Sequence, residues 1–214
     1  MTTSELVATE AGDARITYYR ADAAKAVLAL GHGAGGGIGA RDLVALAGRL
    51  PERGITVALV EQPWRVAGKK LGPAPRTLDL GWRPVAERLA GQGLPLVVGG
   101  RSAGARVACR TGAASGAVGV VALAFPLHPP GKPERSRGEE LLESGLPTLV
   151  VQGAADPFGG PEEFPELPEG HVLVGLPYGN HGFEVPKRAV VGQDELLGMI
   201  CSAVGDWVLG LVGL

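Results

Sequence analysis

Short, unbroken apolar runs alternate along this chain with longer amphipathic stretches. The runs predict strands over 15–20 (RITYYR), 26–31 (AVLALG), 55–60 (ITVALV), 94–99 (LPLVVG), 117–125 (AVGVVALAF), 147–152 (PTLVVQ) and 171–176 (HVLVGL). Most of them lack polar alternation, the pattern of parallel strands covered on both faces. The stretches between, roughly 40–52, 78–91, 103–114, 138–144 and 187–213, read as helices. In the last, Leu196, Ile200, Val204, Trp207 and Leu211 recur every three or four residues and form one buried stripe. Asp206 interrupts that apolar tail, which suits a helix docked on a sheet better than a membrane anchor. Strand–helix alternation predicts an α/β protein: a mostly parallel central sheet, helices on both faces, right-handed crossovers. One domain is expected over 1–214, with no separate cap. Sites in such sheets gather beyond the carboxyl ends of the strands, so the loops after strands carry the search for chemistry.

The fourth run ends in Gly99-Gly100-Arg101-Ser102-Ala103-Gly104, and a helix follows at once. Ser102 is the centre of a GxSxG. A nucleophile on a sharp strand-to-helix turn is exposed, and glycines two before and two after it remove the Cβ atoms that would clash there. With six serines and 35 glycines in 214 residues, chance alone gives such a pentapeptide about once in six chains of this composition, so its place in the pattern matters more than the motif. The sixth run ends in Gln152-Gly153-Ala154-Ala155-Asp156-Pro157-Phe158. There Asp156 is either a carboxylate for catalysis or a plain Asp-Pro turn residue. After the seventh run comes Tyr178-Gly179-Asn180-His181-Gly182-Phe183. His181 follows both Ser102 and Asp156, although a loop histidine is more often just solvated.

The first long run ends in Gly31-His32-Gly33-Ala34-Gly35-Gly36-Gly37. Three readings compete for it. It is an oxyanion loop whose backbone N–H pairs with that of Ala103, a dinucleotide-binding turn, or a structural glycine loop. Residues 31–36 do spell GxGxxG, and Glu61 ends the next strand where a ribose-binding acid would stand. Against the nucleotide, the next helix starts near Ala40, too late for the third glycine to lie in its first turn.

Composition narrows the field. The formal net charge is −2, against a general nucleic-acid binder. Gly and Pro are abundant (35 and 17), but the regular apolar runs argue against disorder. No apolar run approaches the roughly 18 residues of a membrane span, and the start, MTTSELVATEAGD, has neither a basic stretch nor an apolar core of a secretory signal. Cys109 and Cys201 stand far apart, with no CxxC and no His/Cys cluster, so neither metal nor cofactor is implied and a reduced, cytoplasmic protein is expected.

The segments GHGAGG, GGRSAGAR, FPLHPPGKPE, QGAADPFG and GNHGF, in that order from about residue 26 to residue 183, together resemble small α/β-hydrolase-fold proteins related to dienelactone hydrolases, of the subset shared with the testis-expressed protein and NSL-complex subunit relatives. The chain order Ser…Asp…His is the order of such a triad. The resemblance implies Ser102 as nucleophile, Asp156 as acid and His181 as base. It gives the oxyanion hole to the 32–36 loop, with Ala34 the single best position, alongside Ala103. Dienelactone hydrolases proper use cysteine, where this chain has serine. The implied activity is hydrolysis of a small-molecule ester or thioester. The alternative is a non-catalytic binding or scaffold protein on the same fold with a protein partner, because some relatives are complex subunits.

Further candidates for the pocket are His32, Arg101, His128 and Phe158. His128 either lines it or caps a rigid turn between Leu127 and Pro129, with proline close on each side. His171 opens a strand and reads as structural, and Cys109, seven residues after Ser102, as core. Residues 64–77 carry Arg65, Lys69, Lys70 and Arg76, and 129–137 carry Lys132, Arg135 and Arg137. They are solvated surface charge or the rim of a site for an anionic acyl group. Trp64 and Trp82 are either pocket wall or core.

Overall fold

The computed structural model describes residues 2–213. Eight strands form one sheet: β1 (Thr2–Thr9), β2 (Gly12–Tyr19), β3 (Ala26–Gly31), β4 (Ile55–Glu61), β5 (Leu96–Arg101), β6 (Gly119–Leu123), β7 (Thr148–Gly153) and β8 (His171–Leu176). Their order is β1-β2-β4-β3-β5-β6-β7-β8. β1 and β2 form an antiparallel hairpin, and β2 runs antiparallel to β4. From β4 to β8 every pairing is parallel. The helices are α1 (Arg41–Arg49), α2 (Pro63–Val66), α3 (Pro75–Ala90), α4 (Ala103–Thr111), α5 (Gly138–Leu142) and α6 (Gln193–Leu211). This is the α/β-hydrolase fold, with helices on both faces of a mostly parallel sheet.

The unbroken apolar runs follow from the two covered faces. Along β3, Val27 and Ala29 pack into the layer containing Trp82, Val85 and Leu89 of α3 and Ala105, Ala108 and Cys109 of α4. Ala26, Leu28 and Leu30 face the opposite layer, built by Leu43 and Leu46 of α1 and Leu196, Ile200 and Val204 of α6. The period of two along the strand thus divides the core in two.

Four local expectations change. β1 escapes a hydrophobic reading because TTSELVAT is an edge strand, with Leu6 58% exposed. The expected strand 117–125 is shorter, since Ala124 turns to φ 45° and ends it. β8, the other edge, is only partly covered. α6 starts at Gln193 rather than 187: Gly192 is its N-cap, and Glu195 accepts the Gly192 N–H. Trp207 and Leu211 sit half-buried at the border of its stripe, while Val208 goes to the core.

Candidate active site

Ser102 sits between β5 and α4 at φ 53°, ψ −117°, a positive φ that L residues rarely adopt. Its N–H donates to the Leu123 carbonyl at 2.9 Å. The motif glycines are explained by contact. A Cβ on Gly100 would lie 2.5 Å from the Gly31 carbonyl oxygen, and one on Gly104 2.6 Å from the same atom. The elbow is pressed against the end of β3, and only glycine fits.

The loop after β7 brings Asp156, 5% exposed, to the same place. Its Oδ1 accepts the Phe158 N–H at 2.9 Å, and its Oδ2 accepts Gln152 Nε2 at 3.0 Å. The loop after β8 brings His181. His181 Nδ1 donates to Asp156 Oδ2 at 2.8 Å, and Ser102 Oγ donates to His181 Nε2 at 2.9 Å. An ionised carboxylate only accepts, which fixes that tautomer. Backbone bonds hold the two loops together: the Ala155 N–H reaches the Gly179 carbonyl at 2.9 Å, and a Cβ on Gly153 would collide with that carbonyl. Asn180 Oδ1 folds the histidine turn by accepting the N–H groups of Gly182 and Glu184.

Beside these three groups lies an open pocket of about 470 Å³. Gly33–Gly36, including Ala34, line it together with Arg101, Ala103, Pro126, Phe158 and His181. The Phe158 ring lies 4.2 Å from the His181 ring, centroid to centroid. As the first residue of α4, Ala103 has no carbonyl within its helix to receive its N–H. Arg106, one helical turn beyond Ser102, and Arg137 also line the pocket. Arg106 was accessible to sequence reasoning only through that spacing.

Two pocket candidates lie elsewhere. His32 is 3% exposed, edge-on to Trp64, and absent from the pocket wall. Its Nδ1 donates to the Gly33 carbonyl at 2.9 Å and its Nε2 accepts the Gln62 N–H at 3.2 Å. Burial pushes its pKa down, which suits that neutral ring. His128 turns away as well, its Nδ1 2.9 Å from the Pro129 carbonyl and its Nε2 3.0 Å from Glu163. Both rings brace loops instead. Arg101 and Phe158 do line the pocket. Trp64 and Trp82 belong to the core. Lys69, Lys70 and Arg76 do not reach the pocket, whereas Arg137 does.

The glycine loop faces Ser102 rather than a helix end: α1 starts five residues after Gly36, and Glu61 is ion-paired with Arg15 at 2.9 Å. Among the described residues no group of three or more His, Cys, Asp or Glu side chains could hold a metal ion, and no helix is long and apolar enough to cross a membrane.

The chain belongs to the family described as "Alpha/beta hydrolase domain", whose model matches residues 24–209. Solved structures of the same fold include XC6422 from Xanthomonas campestris, described as an a/b serine hydrolase without lid. It is 22% identical with a TM-score of 0.71, over 96% of this chain and 94% of that one. Est1E from Butyrivibrio proteoclasticus is 14% identical with a TM-score of 0.70, over 99% of both chains. A dienelactone hydrolase from Anabaena variabilis is 15% identical with a TM-score of 0.71, over 98% of this chain and 97% of that one. No curated protein matches the chain in sequence.

Proposed function

We propose that the chain, acting as one domain over 1–214, is a serine hydrolase of carboxylic esters or thioesters. The observation that carries this reading is the unbroken line Ser102–His181–Asp156, with bonds of 2.9 and 2.8 Å, opening on a pocket. Ser102 attacks the carbonyl carbon while His181 takes its proton. Asp156 holds the imidazole in the required tautomer and stabilises its cation. The N–H groups of Ala103 and Ala34 face the oxyanion, each worth about 10²–10³ in rate where such donors have been removed. His181 then returns the proton to the leaving group, and water repeats the sequence on the acyl-enzyme. The five sequence segments support placing the chain with the testis-expressed and NSL-complex subset of that family.

The test is steady-state hydrolysis of p-nitrophenyl acetate. Activity lost in both Ser102→Ala and His181→Ala, with folding intact, supports the reading and speaks against a scaffold. Hydrolysis that persists in Ser102→Ala contradicts it.

A further inference from the structure

Arg101 closes β5 one residue before Ser102, and its guanidinium is only partly engaged. Nε donates to Asp42 Oδ2 at 3.2 Å and Nη2 donates to the His181 carbonyl. Nη1 has no protein acceptor among the described residues. Asp42, fully buried in the first turn of α1, has Arg101 as its ion-pair partner. A carboxylate held inside the fold fixes the plane of the guanidinium, so the free edge has a set direction. Gly33 shows where that edge points. A Cβ on Gly33 would lie 3.5 Å from Arg101 Nη1, 3.4 Å from Ser102 Cβ and 3.8 Å from Ser102 Oγ. Nη1 and the Ser102 side chain therefore lie on the same side of Gly33, and all three residues line the pocket. An acyl group bonded to Ser102 Oγ in that pocket has this cationic N–H beside it.

We infer that Arg101 is a catalytic residue, its Nη1–H donating a charge-assisted hydrogen bond to the acyl oxygen as it becomes an oxyanion, and that Asp42 is the positioning residue that aims it. This rests on the serine-hydrolase reading above. In the step concerned, Ser102 Oγ bonds to the carbonyl carbon and the C=O π pair moves onto oxygen. The serine proton passes to His181 Nε2. Arg101 keeps its own protons and contributes charge alone. On collapse the pair reforms C=O, the bond to the leaving group breaks, and His181 delivers the proton to the departing atom. A charged donor is roughly twice as strong as a neutral one, so this site has more than two backbone dipoles at the point where charge develops.

The test compares Arg101→Met, Asp42→Asn and the double variant with the unsubstituted protein, reading kcat and KM for p-nitrophenyl acetate. It also reads Ki for a trifluoromethyl ketone, whose adduct with serine carries the oxyanion. In Arg101→Met, kcat is expected to fall about 10²–10³-fold with KM little changed, and Ki to rise by the same factor. Asp42→Asn is expected to lose less, because the guanidinium remains. Should Arg101→Met not fold, the double variant removes both charges from the interior and carries the same expectation. In Arg101→Ala, added guanidinium ion restores part of kcat. A loss confined to KM, or a kcat loss with unchanged ketone Ki and no guanidinium rescue, overturns the assignment. Fluorophosphonate labelling of the unsubstituted protein separates the failures. Labelling with a negative ketone result rejects Arg101 alone, and no labelling rejects the serine reading and this one with it.

Discussion

At the scale of single residues, the site is a set of close approaches that tolerate almost no added atom. Gly104 meets the Gly31 carbonyl so closely that a methyl group must displace backbone. Gly104→Ala is therefore expected to destabilise the protein by about 1–3 kcal/mol and to lower hydrolysis together with stability, measured by denaturant unfolding. Asp156→Asn keeps the shape but loses the carboxylate that orders His181. A drop in kcat of about 10⁴ is expected, with unfolding barely changed. Asp42 and Arg101 form a pair whose carboxylate is fully buried. Burial pushes the Asp42 pKa up, so removing only Arg101 leaves a buried acid that takes up a proton, and a stability loss of about 1–3 kcal/mol is expected. Legibility also divides at this scale. Ser102, Asp156 and His181 stood out because each followed an apolar run in an interpretable order. His32 and His128 stood out only as histidines, and the ring direction that takes them from the pocket is set by Gln62 and Glu163, far off in sequence. Asp42 carried no signal, since an acid in a first helical turn is ordinary.

At the scale of elements, β3 to β7 could be read because burial on both faces leaves a mostly apolar run without polar alternation. β1 could not, because an edge strand with a polar outer face resembles a loop. The short α2 offers too few residues for a period. What joins α4 to its neighbours was equally hidden. Arg106 and Arg110 of α4 both bind Glu140 of α5, and Arg110 binds Asp79 of α3. Burial raises the Glu140 pKa, but the Arg106 hydrogen bond and the charges of Arg110 and Arg106 outweigh it and hold the carboxyl below its ordinary value. A depressed folded pKa contributes stability that is complete above the unfolded value, near 4.5, and is lost as pH falls through the folded one. Unfolding of the natural chain and of Glu140→Gln is thus expected to differ most at neutral pH, by about 1–3 kcal/mol, and to converge in acid.

At the scale of the whole molecule, two core layers leave one end of the sheet free for chemistry, and the loops after β3, β5, β7 and β8 meet there. Both thiols lie in the core layers. Burial pushes Cys109 up to about 12 and Cys201 up to about 11. A thiol reagent at pH 8 is expected to leave the folded protein unmodified and to find two thiols after unfolding. That inertness leaves the serine to be tested on its own. The direct measurement is reaction with a fluorophosphonate, followed by mapping of the modified peptide by mass spectrometry. One equivalent on Ser102, abolished in Ser102→Ala and strongly slowed in His181→Ala, is the result required by a hydroxyl activated through His181 and Asp156. Modification of some other residue, or undiminished labelling of Ser102→Ala, would contradict it.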